Sequence, residues 1–159
     1  MKSQDLIKKD EKYIGKCTRA SYFPIVAKKA SGIYVEDIEG KKYIDFISSA
    51  CVMNTGYNHK RIVESVKEQM DDYFYTKPQI ELAEKLVEIV PGNYKKKVIF
   101  GFSGSDAIDT SIKLARSFTG RSKIISFIGA YHGSTYGAIS VSAIDLNMKR
   151  KIGPLIPDI

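Results

Sequence analysis

Val98-Ile-Phe-Gly-Phe-Ser-Gly-Ser-Asp-Ala-Ile-Asp109 is the stretch whose reading decides the fold. Its first five residues form a short apolar run, which predicts a strand covered on both faces. Ser103-Gly104-Ser105 then turns the chain into a helix predicted from Ser105 to Phe118, with Ile108, Ile112, Ala115 and Phe118 facing inward. Gly104 lets backbone approach a ligand closely. Ser103 and Ser105 add hydroxyls beside amides that have no intrahelical partner, and with the helix dipole these make an anion site. The plainer alternative is an ordinary helix start, in which Ser103 or Ser105 caps and Asp106 complements the dipole.

Downstream, Gly120 sits where a helix-terminating glycine belongs. Residues 123–128 predict the next strand, followed by the loop Gly129-Ala-Tyr-His-Gly133. Strand, helix and strand within about thirty residues make a βαβ unit. Such a unit implies a parallel sheet with ligands gathered at the C-terminal ends of its strands. Tyr131 is therefore placed either to lie flat against a planar ligand or to pack under its loop.

Upstream, Ile33-Tyr-Val-Glu-Asp-Ile38 and Lys42-Tyr-Ile-Asp-Phe-Ile47 flank Glu39-Gly40 and predict a β-hairpin. Ala50-Cys51-Val52 reads as hairpin core, and Asn54-Thr55-Gly56-Tyr57 as a turn. Ile62, Val66, Met70 and Tyr73 share one face of a helix predicted over residues 60–73. A second helix runs over roughly residues 79–90, with Leu82, Leu86 and Ile89 inward and Pro91-Gly92 stopping it.

The 159 residues are 43% hydrophobic and 11% aromatic, enough for one globular core. Lys and Arg exceed Asp and Glu by 25 to 18, but they occur as scattered pairs and two short clusters, 95–97 and 149–151. Nucleic-acid binding would concentrate them on one stripe, so a solvated surface accounts for the charge. Cys17 and Cys51 are far apart and only two histidines are present, which argues against a disulfide framework and a metal centre. The polar first twelve residues carry no apolar leader, and no run reaches the ~18 apolar residues of a membrane helix. A cytoplasmic protein is expected.

Taken in order and register, these segments resemble the N-terminal portion of class III pyridoxal-phosphate aminotransferases, the ornithine and 4-aminobutyrate aminotransferase group. The resemblance runs from Phe23-Pro24 onward. It includes Gly32-Ile-Tyr-Val-Glu-Asp-Ile-Glu-Gly40, Tyr43-Ile-Asp-Phe46, Asn54-Thr-Gly56 and Ser103-Gly-Ser-Asp-Ala107. Further blocks are Lys113-Leu-Ala-Arg116, Thr119-Gly-Arg121 and Gly129-Ala-Tyr-His-Gly133.

The resemblance implies an α/β fold of the aspartate-aminotransferase type (fold type I), truncated. Residues 1–50 would belong to the small domain, and residues 51–159 would be the first part of the large, cofactor-binding domain. It implies that Gly104 and Ser105 bind the phosphate of pyridoxal 5'-phosphate. Tyr131 would stack on the pyridine ring, His132 would shape the same loop, and Ala50 would line the substrate pocket. The expected reaction moves an amino group between an amino acid or ω-amine and a 2-oxo acid, in a homodimer when complete. The lysine that holds the cofactor as a Schiff base, and the carboxylate that pairs with the ring nitrogen, would both lie beyond residue 159. No catalytic residue is therefore assigned within the chain, and alone it is expected to be inactive. An amino-acid racemase on the same scaffold, or a non-catalytic remnant binding phosphate or a partner, are the alternatives. Asp106 stands where Glu is usual, Tyr57 where Gly-His is common, Lys60 for Pro and Ser134 for Arg. These departures loosen the subgroup and leave the cofactor residues intact.

Overall fold

The computed structural model describes residues 2–15, 23–70 and 76–159, so Cys17 and Tyr73 lie outside the described residues. The chain forms two compact units, Met1–Gln79 and Ile80–Ile159.

The first unit is built on a three-stranded antiparallel sheet, β1 (Ala27–Ser31), β2 (Tyr34–Asp37) and β3 (Lys42–Ile44), in that order. The predicted hairpin is its β2–β3 half, with Val35 opposite Tyr43 and Glu36 opposite Lys42. The strand β1 and the helix α1 (Ser3–Tyr13) had no clear sequence signal, since both are polar and β1 lacks alternation. Asp37 organises the β2–β3 turn. It is buried, and its carboxylate accepts the amides of Glu39 and Lys41 at 2.9 Å each and the Tyr43 hydroxyl at 2.9 Å. Desolvation raises its pKa, yet the Lys41 amide, the Tyr43 hydroxyl and the Glu39 amide outweigh it and hold the carboxyl below its ordinary range.

The hairpin ends sooner than predicted. The chain leaves β3 after Ile44 and enters α2 (Ser48–Cys51), a single turn whose residues all have positive φ, from 51° to 65°. Ala50-Cys51-Val52 is therefore not hairpin core: all three are exposed, Val52 at 74%. The next helix is α3 (Lys60–Met70). Its apolar stripe is present as predicted, but Ile62, Val66 and Met70 remain exposed.

The helix α4 (Thr76–Ile89) ends just before Pro91-Gly92, and its Leu86 is half-buried while Leu82 and Ile89 are exposed. The second unit centres on α5 (Gly104–Thr119), packed against α6 (Tyr136–Val141), with a short 3₁₀ turn at Leu146–Lys149. Its core is small: Ile112 of α5 with Ala138, Ile139 and Val141 of α6. Ala115 and Phe118, predicted to face inward, are exposed because no element among the described residues covers that end of α5. Gly120 closes the helix as expected, its amide donating to Arg116 O at 2.9 Å.

The predicted strands at 98–102 and 123–128 carry no ladder among the described residues. A strand is defined by a hydrogen-bonded neighbour, and these two segments do not pair with each other. The second makes isolated bonds, Ile124 N to Asp158 O at 2.9 Å and Phe127 O from Ala130 N at 3.2 Å, and Gly129 just beyond it donates to Ala143 O at 2.9 Å. Phe127 and Ile128 stand exposed at 78% and 94%. The apolar runs are real, and the parallel sheet they imply is not assembled within these residues.

Candidate functional site

Three short segments of the second unit meet around the first turn of α5. Ser103 is extended (φ −159°) and caps the helix, its hydroxyl accepting the Asp106 amide at 3.2 Å. The Asp106 carboxylate in turn accepts the Phe102 amide at 3.0 Å. The plain capping alternative is thus correct for Ser103, and it leaves Ser105 free for other work. The first main-chain bond of the helix is Ala107 N to Ser103 O at 3.0 Å. The amides of Gly104 and Ser105 precede it and meet no acceptor among the described residues. A Cβ at Gly104 would touch nothing within 4 Å, so the backbone there is open to a ligand.

Ser105 joins this turn to the loop bearing Tyr131. Its Oγ accepts the Ser134 amide at 3.2 Å, and its carbonyl receives the Thr135 hydroxyl at 3.5 Å. Because Oγ accepts from Ser134, its own proton remains available to an anion. Gly133 is the close-approach point. Its φ is 126°, and a Cβ there would fall onto Ser105 Oγ. Tyr131 leaves 55% of its surface exposed, and its hydroxyl lies 3.2 Å from Ser134 Oγ. His132 is half-buried, and its amide donates to Ser142 Oγ at 2.9 Å.

Ser142 was missed by sequence reasoning. It is fully buried and supports the loop from behind, donating to Ala138 O at 2.8 Å while lying 3.2 Å from Gly133 O. The only signal for it was a small hydroxyl inside an apolar run, Ala138-Ile-Ser-Val-Ser-Ala143. Gly104, Ser105, Tyr131 and His132 are thus brought together. An open cleft of about 540 Å³, lined by residues including Ile125, Ser140 and Lys149, contains none of them.

Residues 17–159 match the family model described as aminotransferase class-III. The chain belongs to the class-III aminotransferase family. It is 44% identical to an isoleucine 2-epimerase of Lentilactobacillus buchneri over 99% of the chain and 37% of that relative. It is 41% identical to an alanine/serine racemase of Pyrococcus horikoshii over 99% of the chain and 35% of that relative. Among solved structures it superposes on a taurine:2-oxoglutarate aminotransferase from Bifidobacterium kashiwanohense, determined in complex with PLP and glutamate. The TM-score is 0.85 at 31% identity, covering 99% of this chain and 37% of that one. The chain therefore spans little more than a third of the length of the curated relatives it matches, and its fold is part of the fold-type-I α/β architecture.

Class-III aminotransferases use pyridoxal phosphate. The residues of this chain fit the group: two amides with no partner among the described residues and an available hydroxyl at a helix start suit a phosphate, and an exposed aromatic face on the tied loop suits a flat ring.

Ala50 belongs to the first unit, on the left-handed turn. Left-handed residues other than glycine cost about 1–2 kcal/mol each, so the turn needs external support. Asp45 supplies it. Its carboxylate accepts the Ile47 amide at 2.9 Å, the Ser49 amide at 2.8 Å and the Tyr57 hydroxyl at 2.7 Å. Asn54 adds a side-chain bond to Cys51 O at 2.9 Å. Tyr57 is itself fixed by a two-way bridge with Gly32, its amide and carbonyl engaged at 2.8 and 2.9 Å. Gly56 makes that bridge possible: its φ is 81°, and a Cβ would sit 3.1 Å from Gly32 O. The Tyr57 hydroxyl, and more weakly the Ile47, Ser49 and Ser48 amides, hold the Asp45 carboxyl below its ordinary range against the opposing effect of desolvation.

Proposed function

We propose that the protein carrying this chain is a pyridoxal-phosphate-dependent transaminase, moving an amino group between an amino acid or ω-amine and a 2-oxo acid. The observation that carries this reading is the pair of amides at Gly104 and Ser105, without an acceptor among the described residues and joined through Ser105 Oγ and Ser134 N to the Tyr131 loop. Gly104 and Ser105 would hold the phosphate, and Tyr131 would cover one face of the ring. His132, anchored by Ser142, would keep the loop in place. When bound, the cofactor supplies an electron sink for breaking a bond at the carbon that bears the amino group. Ala50 is assigned to the substrate pocket, residues 1–50 to the small domain and residues 51–159 to the start of the large one. The chain itself contributes binding and orientation, and alone it is inactive. Its working form is a cytoplasmic homodimer.

A racemase or epimerase is the second reading, favoured by the similarity to an isoleucine 2-epimerase and an alanine/serine racemase. Both reactions break the same Cα–H bond and part at reprotonation. One experiment separates them. The protein carrying this chain is loaded with pyridoxal phosphate and given an L-amino acid in deuterium oxide, with and without a 2-oxo acid. Transfer of the amino group to the 2-oxo acid is the expected result. Deuterated D-enantiomer without transfer would replace the transaminase by the racemase. Failure to bind the cofactor would leave only a remnant.

A further inference from the structure

Asp109 of α5 is a charged group that the cofactor cradle does not use. Its Oδ1 is buried and has no hydrogen-bond partner among the described residues. A buried oxygen left without a donor is costly, so its presence calls for a reason. The carboxylate lies directly against α6: a Cβ on Gly137 would fall onto Asp109 Oδ1. One turn earlier on α5, Ser105 Oγ meets Gly133 in the same way. Ser105 and Asp109 are four residues apart, and so are Gly133 and Gly137, so two side-chain oxygens meet two bare backbones in register. The start of α6 has no side-chain cap bond and no acid in its first turn. Asp109 therefore supplies negative charge beside amides that lack an intrahelical partner. The residues that close α6 are in turn tied to the Tyr131 loop. Ala143 N donates to Ala130 O at 2.7 Å, Gly129 N to Ala143 O at 2.9 Å and His132 N to Ser142 Oγ at 2.9 Å. What fixes α6 against α5 thus fixes the loop that carries Tyr131.

We infer that Asp109 is a positioning residue for cofactor binding: its charge and its close fit against Gly137 hold α6, and through it the Tyr131 loop, in place over the cradle at Gly104 and Ser105. The inference rests on the pyridoxal-phosphate reading above and adds to it a residue that needs no contact with the cofactor. The direction of the effect is diagnostic. A carboxylate one turn behind Ser105 repels a bound phosphate, so charge alone predicts that neutralising Asp109 tightens cofactor binding. Positioning predicts the reverse.

Asp109→Asn keeps the shape of the side chain and removes its charge. In the full protein carrying this chain, pyridoxal-phosphate affinity is measured by titration and the visible circular dichroism of the bound cofactor is recorded. The variant is expected to bind the cofactor about fivefold more weakly, the scale of a charge at a helix start, with a smaller dichroic band. Combined with Tyr131→Ala, it should add little to the loss that Tyr131→Ala causes alone, because both act through one loop. Unchanged or tighter binding by Asp109→Asn overturns the inference. So do losses that simply add in the double variant, which would make Asp109 a structural residue with no part in placing the loop. Should the variant fail to fold, hydrogen exchange in the unaltered protein decides. Pyridoxal phosphate should slow exchange in residues 129–135 and 136–142 together, and slowing confined to the first of these overturns the inference. A wild-type protein that binds no cofactor would remove the pyridoxal-phosphate reading and this inference with it, whereas wild-type binding left unaltered by Asp109→Asn removes the inference alone.

Discussion

Ser105 and Gly133 pack so closely that a Cβ on Gly133 would overlap Ser105 Oγ. The contact joins the first turn of α5 to the loop that follows residues 123–128. Gly133→Ala would push the two apart and would also place a side chain at a φ of 126°. Overpacking of this kind costs about 1–3 kcal/mol. The expected outcome is a lower melting temperature together with weaker pyridoxal-phosphate binding, read by calorimetry and cofactor titration. Wild-type behaviour in both would mean that the loop and the cradle are not coupled here.

Tyr131 is expected to act through its ring. Truncation to Ala should cost about 1 kcal/mol or more of cofactor affinity, the scale of an aromatic contact. Tyr131→Phe keeps the ring, loses only the approach to Ser134 Oγ, and should bind nearly as well. Equal losses for Phe and Ala in a cofactor titration would shift the role to the hydroxyl.

Much of this site was legible in the sequence, for local reasons. Ser103 to Asp106 carry capping chemistry that works over three residues, and Gly120 terminates its helix by the same short-range logic. The apolar stripes of α3, α4 and α5 gave helices at the right places. The sheet was harder, because the runs at 98–102 and 123–128 state a readiness to be covered without naming a neighbour. Phe127 and Ile128 are accordingly exposed, with no strand beside them among the described residues. The left-handed turn was invisible for a different reason. Ser48, Ser49, Ala50 and Cys51 have no intrinsic preference for positive φ, and the cause lies in Asp45 and in Tyr57, twelve residues further on. Ser142 was missed likewise, since its importance comes from which loop closes over it.

The support that Asp45 and Tyr57 give the left-handed turn should show itself in pH dependence. Asp45 has a lowered pKa, so its contribution is present above the unfolded value of about 3.9 and is lost as pH falls through the lower folded value. Tyr57 behaves oppositely. The Ser49 hydroxyl lowers its pKa, but the bond to Asp45, burial and the Asp45 charge raise it more. Its contribution is therefore present below about 10 and is lost as pH rises through the raised folded value. The melting temperature of the protein carrying this chain should hold between about pH 5 and 9 and fall in acid. Asp45→Asn should lessen the acid change. An unaltered acid limb in that variant would assign it to other groups, Asp37 first.

The isolated 159-residue chain should be poorly stable. Its buried apolar core comprises few residues among those described, while Ile62, Val66, Leu82, Phe118, Ile125 and Phe127 are exposed. Surface of that extent normally marks a contact face. Strong binding of a hydrophobic dye, and no single cooperative transition in urea, are expected. Borohydride treatment with pyridoxal phosphate should trap no stoichiometric adduct at one lysine, and amino-group transfer should be absent. A cooperative transition with native-like stability would show that these residues suffice by themselves.

The central claim is that the start of α5 holds a phosphate beneath the Tyr131 loop, and the most direct test is a crystal structure of the protein carrying this chain, grown with pyridoxal phosphate. The account predicts phosphate oxygens within about 3.2 Å of the Gly104 and Ser105 amides, with the Tyr131 ring lying flat against the pyridine. Cofactor bound with its phosphate elsewhere, and those two amides still without an acceptor, would contradict it.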